Sequence, residues 1–366
     1  MKRVLLIKMS SMGDVIHTLP ALTDAQRVFP DIQFDWVVEP GFAEIPHWHP
    51  AVKNVLQASI RRWRKDPWQS FKQGEWQTFL RKLRYTTYDA VIDAQGLVKS
   101  ALVTRFAKGP TYGLGYKSTR GKLVSIAYQH PFDVAQDQHA VEKTRQLFSQ
   151  VFHYPHPKTA PDYGIDKKRL ADISYGENTV IFLHGTTWVT KHWPQQYWQE
   201  LAYLVVQQGL RVLLPWGNDK ELQRAQSIRT FCQQRGGSNL PEVLPKLTLG
   251  EITSLLSKAK GIVGVDTGFS HIAAAMAVPT ISLYGPTDPA LIGAYGPNQQ
   301  HLKVNAPCAP CFGRECKLGT DFATIPPCFE TLPAEKVYHA LMKIIPKSHQ
   351  INFFEPAEKE QNGSDT

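Results

Sequence analysis

Short runs of aliphatic and β-branched residues recur along the chain. Each ends at a turn of Gly, Ser, Thr or Asp and is followed by apolar positions at helical spacing. Val4-Leu5-Leu6-Ile7 is the first run. It is apolar without alternation, the pattern of a strand buried on both faces of a parallel sheet. The turn Lys8-Met9-Ser10-Ser11-Met12-Gly13-Asp14 follows, and then Val15, Leu19, Leu22 and Ala25 at the spacing of one helix face. Residues 34–38, 54–56 and 90–93 predict further strands, and 76–83, 98–107 and 140–152 predict helices. Pro155, Pro157 and Pro161 then cluster without periodicity, so 154–178 reads as a linker that contains a domain boundary.

The pattern starts again after the linker. Val180-Ile181-Phe182-Leu183-His184 is a buried strand, followed by a loop to Lys191 and a helix that opens at Trp193-Pro194. Strands at 211–214, 261–265 and 280–284 alternate with helices starting at Asp219, at Leu249 and after His271. Alternating strands and helices predict an α/β architecture of two doubly wound halves. The expected divisions are 1–165, 166–332, a last helix at 333–345 and a polar, disordered tail at 346–366.

Composition adds three points. A chain of 366 residues with 42% hydrophobic and 20% charged residues is globular and long enough for two cores. No apolar run approaches the ~18 residues of a membrane span, and the run after Lys2-Arg3 is too short for a signal-peptide core. The cytoplasm is the expected location. The net charge of +9 is concentrated: Arg61, Arg62, Arg64, Lys65, Lys72, Arg81, Lys82 and Arg84 face only Asp66 and Glu75 over the same stretch. Charges as dense as 61–65 repel one another unless an anionic partner arrives. No helix-turn-helix or RNA-binding signature accompanies them, so nucleic acid is not expected as that partner.

The candidate chemistry lies in the strand-end turns, where open α/β sheets place ligands. Asp14 reads either as a helix cap or as a carboxylate facing a ligand. Asp93-Ala94-Gln95-Gly96 repeats the theme. Asp266-Thr267-Gly268 leads from a strand into a helix, with Gly for close approach and Thr for a hydroxyl, the makings of a diphosphate site. Thr186, Thr187 and Lys191 add donors and a cation from a neighbouring loop. No G-x-G-x-x-G follows a strand and no P-loop is present, which disfavours dinucleotide binding and removes the P-loop class. Four of the five cysteines, Cys308, Cys311, Cys316 and Cys328, have the C-x2-C-x4-C-x11-C spacing of a structural Zn or Fe–S site, with four free thiols as the alternative.

Taken together, the stretch from Ser10 to Pro20, Asp93-Ala94-Gln95-Gly96, Lys191-His192-Trp193-Pro194, Val265-Asp266-Thr267-Gly268 and Gly285-Pro286-Thr287-Asp288-Pro289 resemble the lipopolysaccharide heptosyltransferases. Ile60-Arg61-Arg62-Trp63-Arg64-Lys65 is most similar to the type I members, whereas the cysteine-rich tail is more similar to type II members. The resemblance implies a GT-B fold, two Rossmann-like domains facing across a cleft. It implies metal-independent, inverting transfer from ADP-L-glycero-β-D-manno-heptose to a Kdo residue of Kdo-lipid A, or to an already heptosylated core if the chain is type II. It implies no required cofactor and a peripheral place on the cytoplasmic face of the inner membrane, with a monomer favoured and the oligomeric state left open. The absence of D-x-D agrees with metal independence. By the same resemblance Asp14 is the general base and Lys191 the cation on the donor phosphates, with Thr186, Thr187, Glu221, Asp266, Thr267, Gly268 and His271 around the donor. Ser11, Gly13, Arg61, Arg62, Arg64, Lys65, Gln95 and Arg120 are then the acceptor side.

Overall fold

The computed structural model describes residues 2–119, 121–237, 239–316 and 327–346. Six parallel strands form the first sheet: β1 (Arg3–Ile7), β2 (Gln33–Val38), β3 (Val52–Gln57), β4 (Ala90–Asp93), β5 (Thr111–Leu114) and β6 (His130–Phe132). Their spatial order is β3-β2-β1-β4-β5-β6. A second six-stranded parallel sheet holds β7 (Thr179–Leu183), β8 (Arg211–Leu214), β9 (Glu242–Val243), β10 (Gly261–Val265), β11 (Thr280–Tyr284) and β12 (Gln299–Lys303) in the order β12-β11-β10-β7-β8-β9. The two orders are the same topology read from opposite edges. In each, the strand order reverses beside the first strand, between β1 and β4 and between β7 and β10, and a ligand crevice opens at such a point.

Val4 to Ile7 are fully buried. The two-residue period of the strand sends Val4 and Leu6 to one face and Leu5 and Ile7 to the other. The cluster around Val4 and Leu6 continues without a break into Ile181, Leu183, Ile262 and Ile272 of the second half, so apolar packing crosses from one domain to the other. The GT-B expectation of two facing Rossmann-like halves is met.

Three local expectations change, and the basic stretch takes a form the sequence did not announce. The apolar stripe after Asp14 is two helices, Met12–Ile16 and Leu19–Val28. Pro20 stands in the first turn of the second and has no N–H to carry the first one onward. Asp14 is not an N-cap: Ser11 occupies that position, and Asp14 at N3 accepts the Ser11 backbone N–H. The basic stretch folds as two further helices, Ile60–Lys65 and Pro67–Lys72, split by Asp66, which caps the second by accepting from the Gln69 N–H at 3.0 Å. The helix expected to open at Trp193-Pro194 begins at Gln195 with Pro194 as its cap.

The linker carries one 3₁₀ turn, Lys167–Arg169, yet it is pinned down. Asp166 N donates to Trp48 O at 2.9 Å, and the buried Tyr163 hydroxyl donates to Tyr295 O at 2.5 Å. The last helix, Ala334–Ile344, packs on Gln195–Val206 and on β10 and β11. A Cβ at Gly261 would meet the Ile345 side chain at 2.4 Å, so only Gly lets that helix end approach the sheet.

Candidate active site

The β1 turn is held from below. Lys8, itself buried, donates through Nζ to Ala94 O at 2.8 Å, bridging the ends of β1 and β4. The Gln95 amide serves the same loop. Its Oε1 accepts Met9 N and Ser10 N, and its Nε2 donates to Ser10 O at 2.6 Å. Asp93 is fully buried and accepts from the Tyr128 hydroxyl at 2.7 Å and from Gln95 N and Gly96 N; burial nonetheless pushes its carboxyl up. Above this base the Asp14 carboxylate is 43% exposed at the cleft, accepting from Ser11 N at 2.7 Å and Ser11 Oγ at 3.0 Å. Lys8 Nζ lies 3.9 Å from its other oxygen.

The second sheet supplies the opposite wall. Asp266, at the end of β10, is buried with Lys191 Nζ and Thr287 Oγ1 each 2.6 Å from Oδ2, and His271 Nε2 4.0 Å from Oδ1. Thr186 Oγ1 donates to Asp266 O at 3.1 Å, tying the β7 loop to the β10 loop. Thr267 is the N-cap of helix Gly268–Ala275 but does not cap with its side chain, which leaves the hydroxyl and the helix N-terminus facing the cleft. Lys191 Nζ also stands 4.5 Å above the Trp188 ring. Glu221 sits in the first turn of helix Asp219–Gln234. It accepts from Gly217 N at 2.7 Å, and its carboxylate lies directly over Gly185, where a Cβ would come within 2.5 Å of it. A carboxylate beside the β7 and β8 strand ends is placed for vicinal hydroxyls.

The two walls meet through glycines. A Cβ at Gly13 would strike the His271 ring at 2.6 Å, and one at Gly268 would strike Met12 Sδ at 2.5 Å. His17 Nε2 and His271 Nδ1 share a 3.0 Å hydrogen bond across the domain boundary. His139 Nε2 donates to Gly293 O at 3.1 Å and its ring stacks on Tyr295. Burial first, then His271 and His139, holds His17 well below the ordinary imidazole value. Burial likewise brings His139 down to about 4. His271 is lowered by burial, although the nearby Asp266 and Asp14 pull the other way.

An imidazole neutral in the folded chain takes up a proton on unfolding at any pH between its folded value and ~6.5. Stability conferred by these histidines is therefore complete above ~6.5 and is lost as pH falls toward 4. Calorimetry is expected to show Tm falling steadily through that window. His139→Gln, which can still donate to Gly293 O, should flatten the slope by about one proton, ~1.4 kcal/mol per pH unit. A slope identical in the two proteins would remove His139 from the linkage.

The structure thus brings Asp14, Gly13, Lys191, Asp266, Gly268 and His271 into one cleft, with Thr186, Thr267 and Glu221 on the same strand edge. Thr187 is exposed in the β7 loop. On the acceptor side the expected residues divide. Arg61 and Arg64 stand on the helix Ile60–Lys65, whose start is tied to the β1 turn: Arg61 N donates to Glu39 Oε1 at 3.2 Å, and Glu39 N donates to Met9 O at 3.1 Å. Lys65 is exposed on the same short helix. Arg62 turns away and pairs with Glu75 at 2.5 Å, on the wall of a cavity of about 450 Å³ that Trp63, Gln73 and Lys82 also line. Gln95 has its amide committed to the Met9–Ser10 backbone, so it braces the loop. Arg120 lies outside the described residues.

Sequence reasoning missed Lys8, His17, Thr287 and Arg224. Arg224 donates to His184 O at 2.9 Å and lies 3.1 Å from His192 Nδ1, holding the β7 loop. The i, i+3 spacing of Glu221 and Arg224 was the one local signal that could have found it. The cysteines are free thiols, and among the described residues no group of three or more His, Cys, Asp or Glu side chains is gathered as for a metal ion.

Two facing Rossmann-like domains, a helix N-terminus with a buried Lys–Asp pair on one wall and a carboxylate on the other define a glycosyltransferase of the GT-B kind. The chain belongs to glycosyltransferase family 9, the heptosyltransferases, whose pattern it matches over residues 76–320. It is 53% identical over 315 residues to lipopolysaccharide heptosyltransferase 1 of Pseudomonas aeruginosa, covering 86% of this chain and 87% of that one. It is 49% identical over 300 residues to the enzyme of the same name from Escherichia coli, covering 81% and 92%. Among solved structures it is similar to the E. coli heptosyltransferase WaaC with ADP, at 43% identity and a TM-score of 0.80 over 92% of this chain and 98% of that one. Its activity is heptosyl transfer of the first type, which settles the doubt that the cysteine-rich tail raised.

Proposed function

We propose that the chain moves L-glycero-D-manno-heptose from ADP-heptose to a Kdo residue of Kdo-lipid A, with inversion and without a metal. The observation that carries this reading is the convergence of the Asp14 turn, from the first domain, whose Gly13 packs on the His271 ring, and the Lys191–Asp266 pair, from the second, on that same His271. In this reading the donor diphosphate lies on the N-terminus of helix Gly268–Ala275 with Lys191 as its cation, and Glu221 holds the ribose. Departure of ADP leaves negative charge on the diphosphate, which the ammonium and the helix end stabilise. Asp14 takes the proton of the acceptor hydroxyl as it attacks from the opposite face. WaaC has been solved with ADP-2-deoxy-2-fluoro heptose, and its 43% identity to this chain supports the same donor here.

The test is ADP release from ADP-heptose with Kdo-lipid A, Kdo2-lipid A and a heptosylated acceptor offered separately. Turnover is expected with the Kdo acceptors; turnover confined to the heptosylated one overturns the acceptor assignment. In the same assay Arg61→Ala and Arg64→Ala should raise acceptor KM several-fold and leave donor affinity unchanged. That effect should shrink as salt rises, because exposed charges are screened beyond ~8–10 Å at physiological ionic strength. Loss of donor affinity instead would assign the two arginines to the wrong substrate.

The reading places the enzyme peripherally on the cytoplasmic face of the inner membrane, where a lipid-linked acceptor is presented; no described helix is long and apolar enough to cross a membrane. The four cysteines keep two readings. Their C-x2-C-x4-C-x11-C spacing suits a structural Zn or Fe–S site that braces the loop before the last helix, while among the described residues no three such side chains are gathered as for a metal ion and the thiols form no disulfide. Metal analysis of purified protein decides between them: about one equivalent supports the site, and less than about 0.2 excludes a constitutive one.

A further inference from the structure

Two stretches of chain border the acceptor side of the cleft, and both are basic and apolar at once. The first is the pair of helices Ile60–Lys65 and Pro67–Lys72, which exposes Arg61, Arg64, Lys65 and Lys72 alongside Trp68 (69% exposed) and Phe71 (58%). Lys72 Nζ lies 5.5 Å over the Trp68 ring, so the aromatic face and the cation point out together. The second is helix Val98–Phe106 packed against the 3₁₀ turn Lys122–Ala127. There Val98 and Leu102, one helical turn apart, are exposed, as are Leu123 (79%) and Ile126 (77%). Between Asp93 and Asp133 the sequence holds no carboxylate, but it holds Lys99, Arg105, Lys108, Lys117, Arg120 and Lys122. Lys99 Nζ on the second stretch donates to Ser10 Oγ at 3.1 Å, and Arg61 N on the first donates to Glu39 Oε1 at 3.2 Å, with Glu39 N in turn donating to Met9 O at 3.1 Å, so both stretches are tied to the turn after β1 at the cleft.

A solvated helix face does not need aliphatic pairs at one-turn spacing. Paired apolar exposure inside an acid-free basic field marks a surface meant to be covered. Nucleic acid would use the cations and stack on the aromatics, but it offers nothing to Val98, Leu102, Leu123 and Ile126. An anionic bilayer uses both: its surface charge attracts Lys and Arg, and its headgroup–acyl boundary takes aliphatic and Trp side chains.

We infer that these two stretches are a docking surface for an anionic lipid bilayer, seating the cleft mouth over sugar that projects from the membrane. The inference rests on the acceptor being lipid-linked, as proposed above. It adds the face that meets the lipid and the side chains that enter it.

Sedimentation of the full chain with phosphatidylethanolamine–phosphatidylglycerol vesicles containing no acceptor is the direct test. Wild type should co-sediment with these vesicles and partition about tenfold or more weakly onto pure phosphatidylcholine. Leu123→Ser with Ile126→Ser should lower partitioning onto the anionic vesicles about tenfold or more, with ADP-heptose affinity and circular dichroism unchanged. The same variant should turn over a water-soluble, deacylated acceptor like wild type and lose rate only on acceptor embedded in vesicles. Wild type that stays in the supernatant at low salt overturns the inference. So does vesicle binding that salt abolishes and the two Ser substitutions leave unchanged, because that is the behaviour of a generic polyanion face. Failure on the deacylated acceptor, with vesicle binding as expected, would instead count against the acceptor reading and leave the docking surface standing.

Discussion

Replacing Asp14 with Asn is expected to leave a folded protein that binds ADP-heptose normally and turns over at least about a hundredfold more slowly. A general base is commonly worth roughly 10²–10⁴ in rate, and an amide cannot accept the acceptor proton. Stability should change little. Asp14 stands at N3 and accepts from Ser11 N and Ser11 Oγ, and the Asn side-chain oxygen can accept the same two bonds. What Asn removes is the charge 3.9 Å from Lys8 Nζ, and Lys8 keeps its bond to Ala94 O. The measurement is kcat alongside Tm and donor Kd. Turnover like that of wild type would leave Asp14 as a capping-box residue and nothing more. A large drop in Tm would make the rate uninterpretable, and Asp14→Ser, which keeps an acceptor of smaller size, then separates folding from proton transfer.

Lys191→Met should have the second large effect, and in two different readouts. Asp266 is buried, and its cation is the Lys191 ammonium at 2.6 Å; Thr287 adds only a neutral hydroxyl. Removing one member of a buried pair leaves an uncompensated charge, which typically costs about 3–5 kcal/mol. Donor affinity and kcat should fall as well, because the diphosphate loses the ammonium that would face the developing charge. Lys191→Met combined with Asp266→Asn removes both charges, so most of the stability should return while activity does not. Chemical denaturation and donor titration separate the two roles. Normal donor binding and turnover in Lys191→Met would reduce Lys191 to a partner of Asp266.

Strands β1, β2, β4, β7, β8, β10 and β11 were legible as runs of apolar residues, because strands flanked by neighbours and covered by helices on both faces admit little else. The strands that escaped are β5, β6, β9 and β12, with sequences TYGL, HPF, EV and QQHLK. Of these, β6, β9 and β12 are sheet edges and β5 stands beside one, and all are too short or too polar to carry a period. Helix breaks followed the same logic. Pro20 acts locally, but the apolar stripe continues across the break, because both helices pack on one core.

The cleft shows the same division. Asp14, Thr267, Gly268 and Asp266 could be placed from the chain alone, because a strand-end turn that leads into a helix is a local event with its own residue preferences. Which side chains those groups engage was not legible. Lys191 and Asp266 are 75 residues apart, and the His17–His271 bond joins residues separated by 254 positions. Nothing in either neighbourhood announces the other. Gln95 and Arg62 make the point from the opposite direction: both have the chemistry of acceptor ligands, yet one is spent on the Met9–Ser10 backbone and the other on Glu75. Residue type and turn position set what each group is able to do. Its actual partner is set by packing, since a hydrogen bond or ion pair forms only where two sheets and their helices bring the groups within about 3 Å and shut water out.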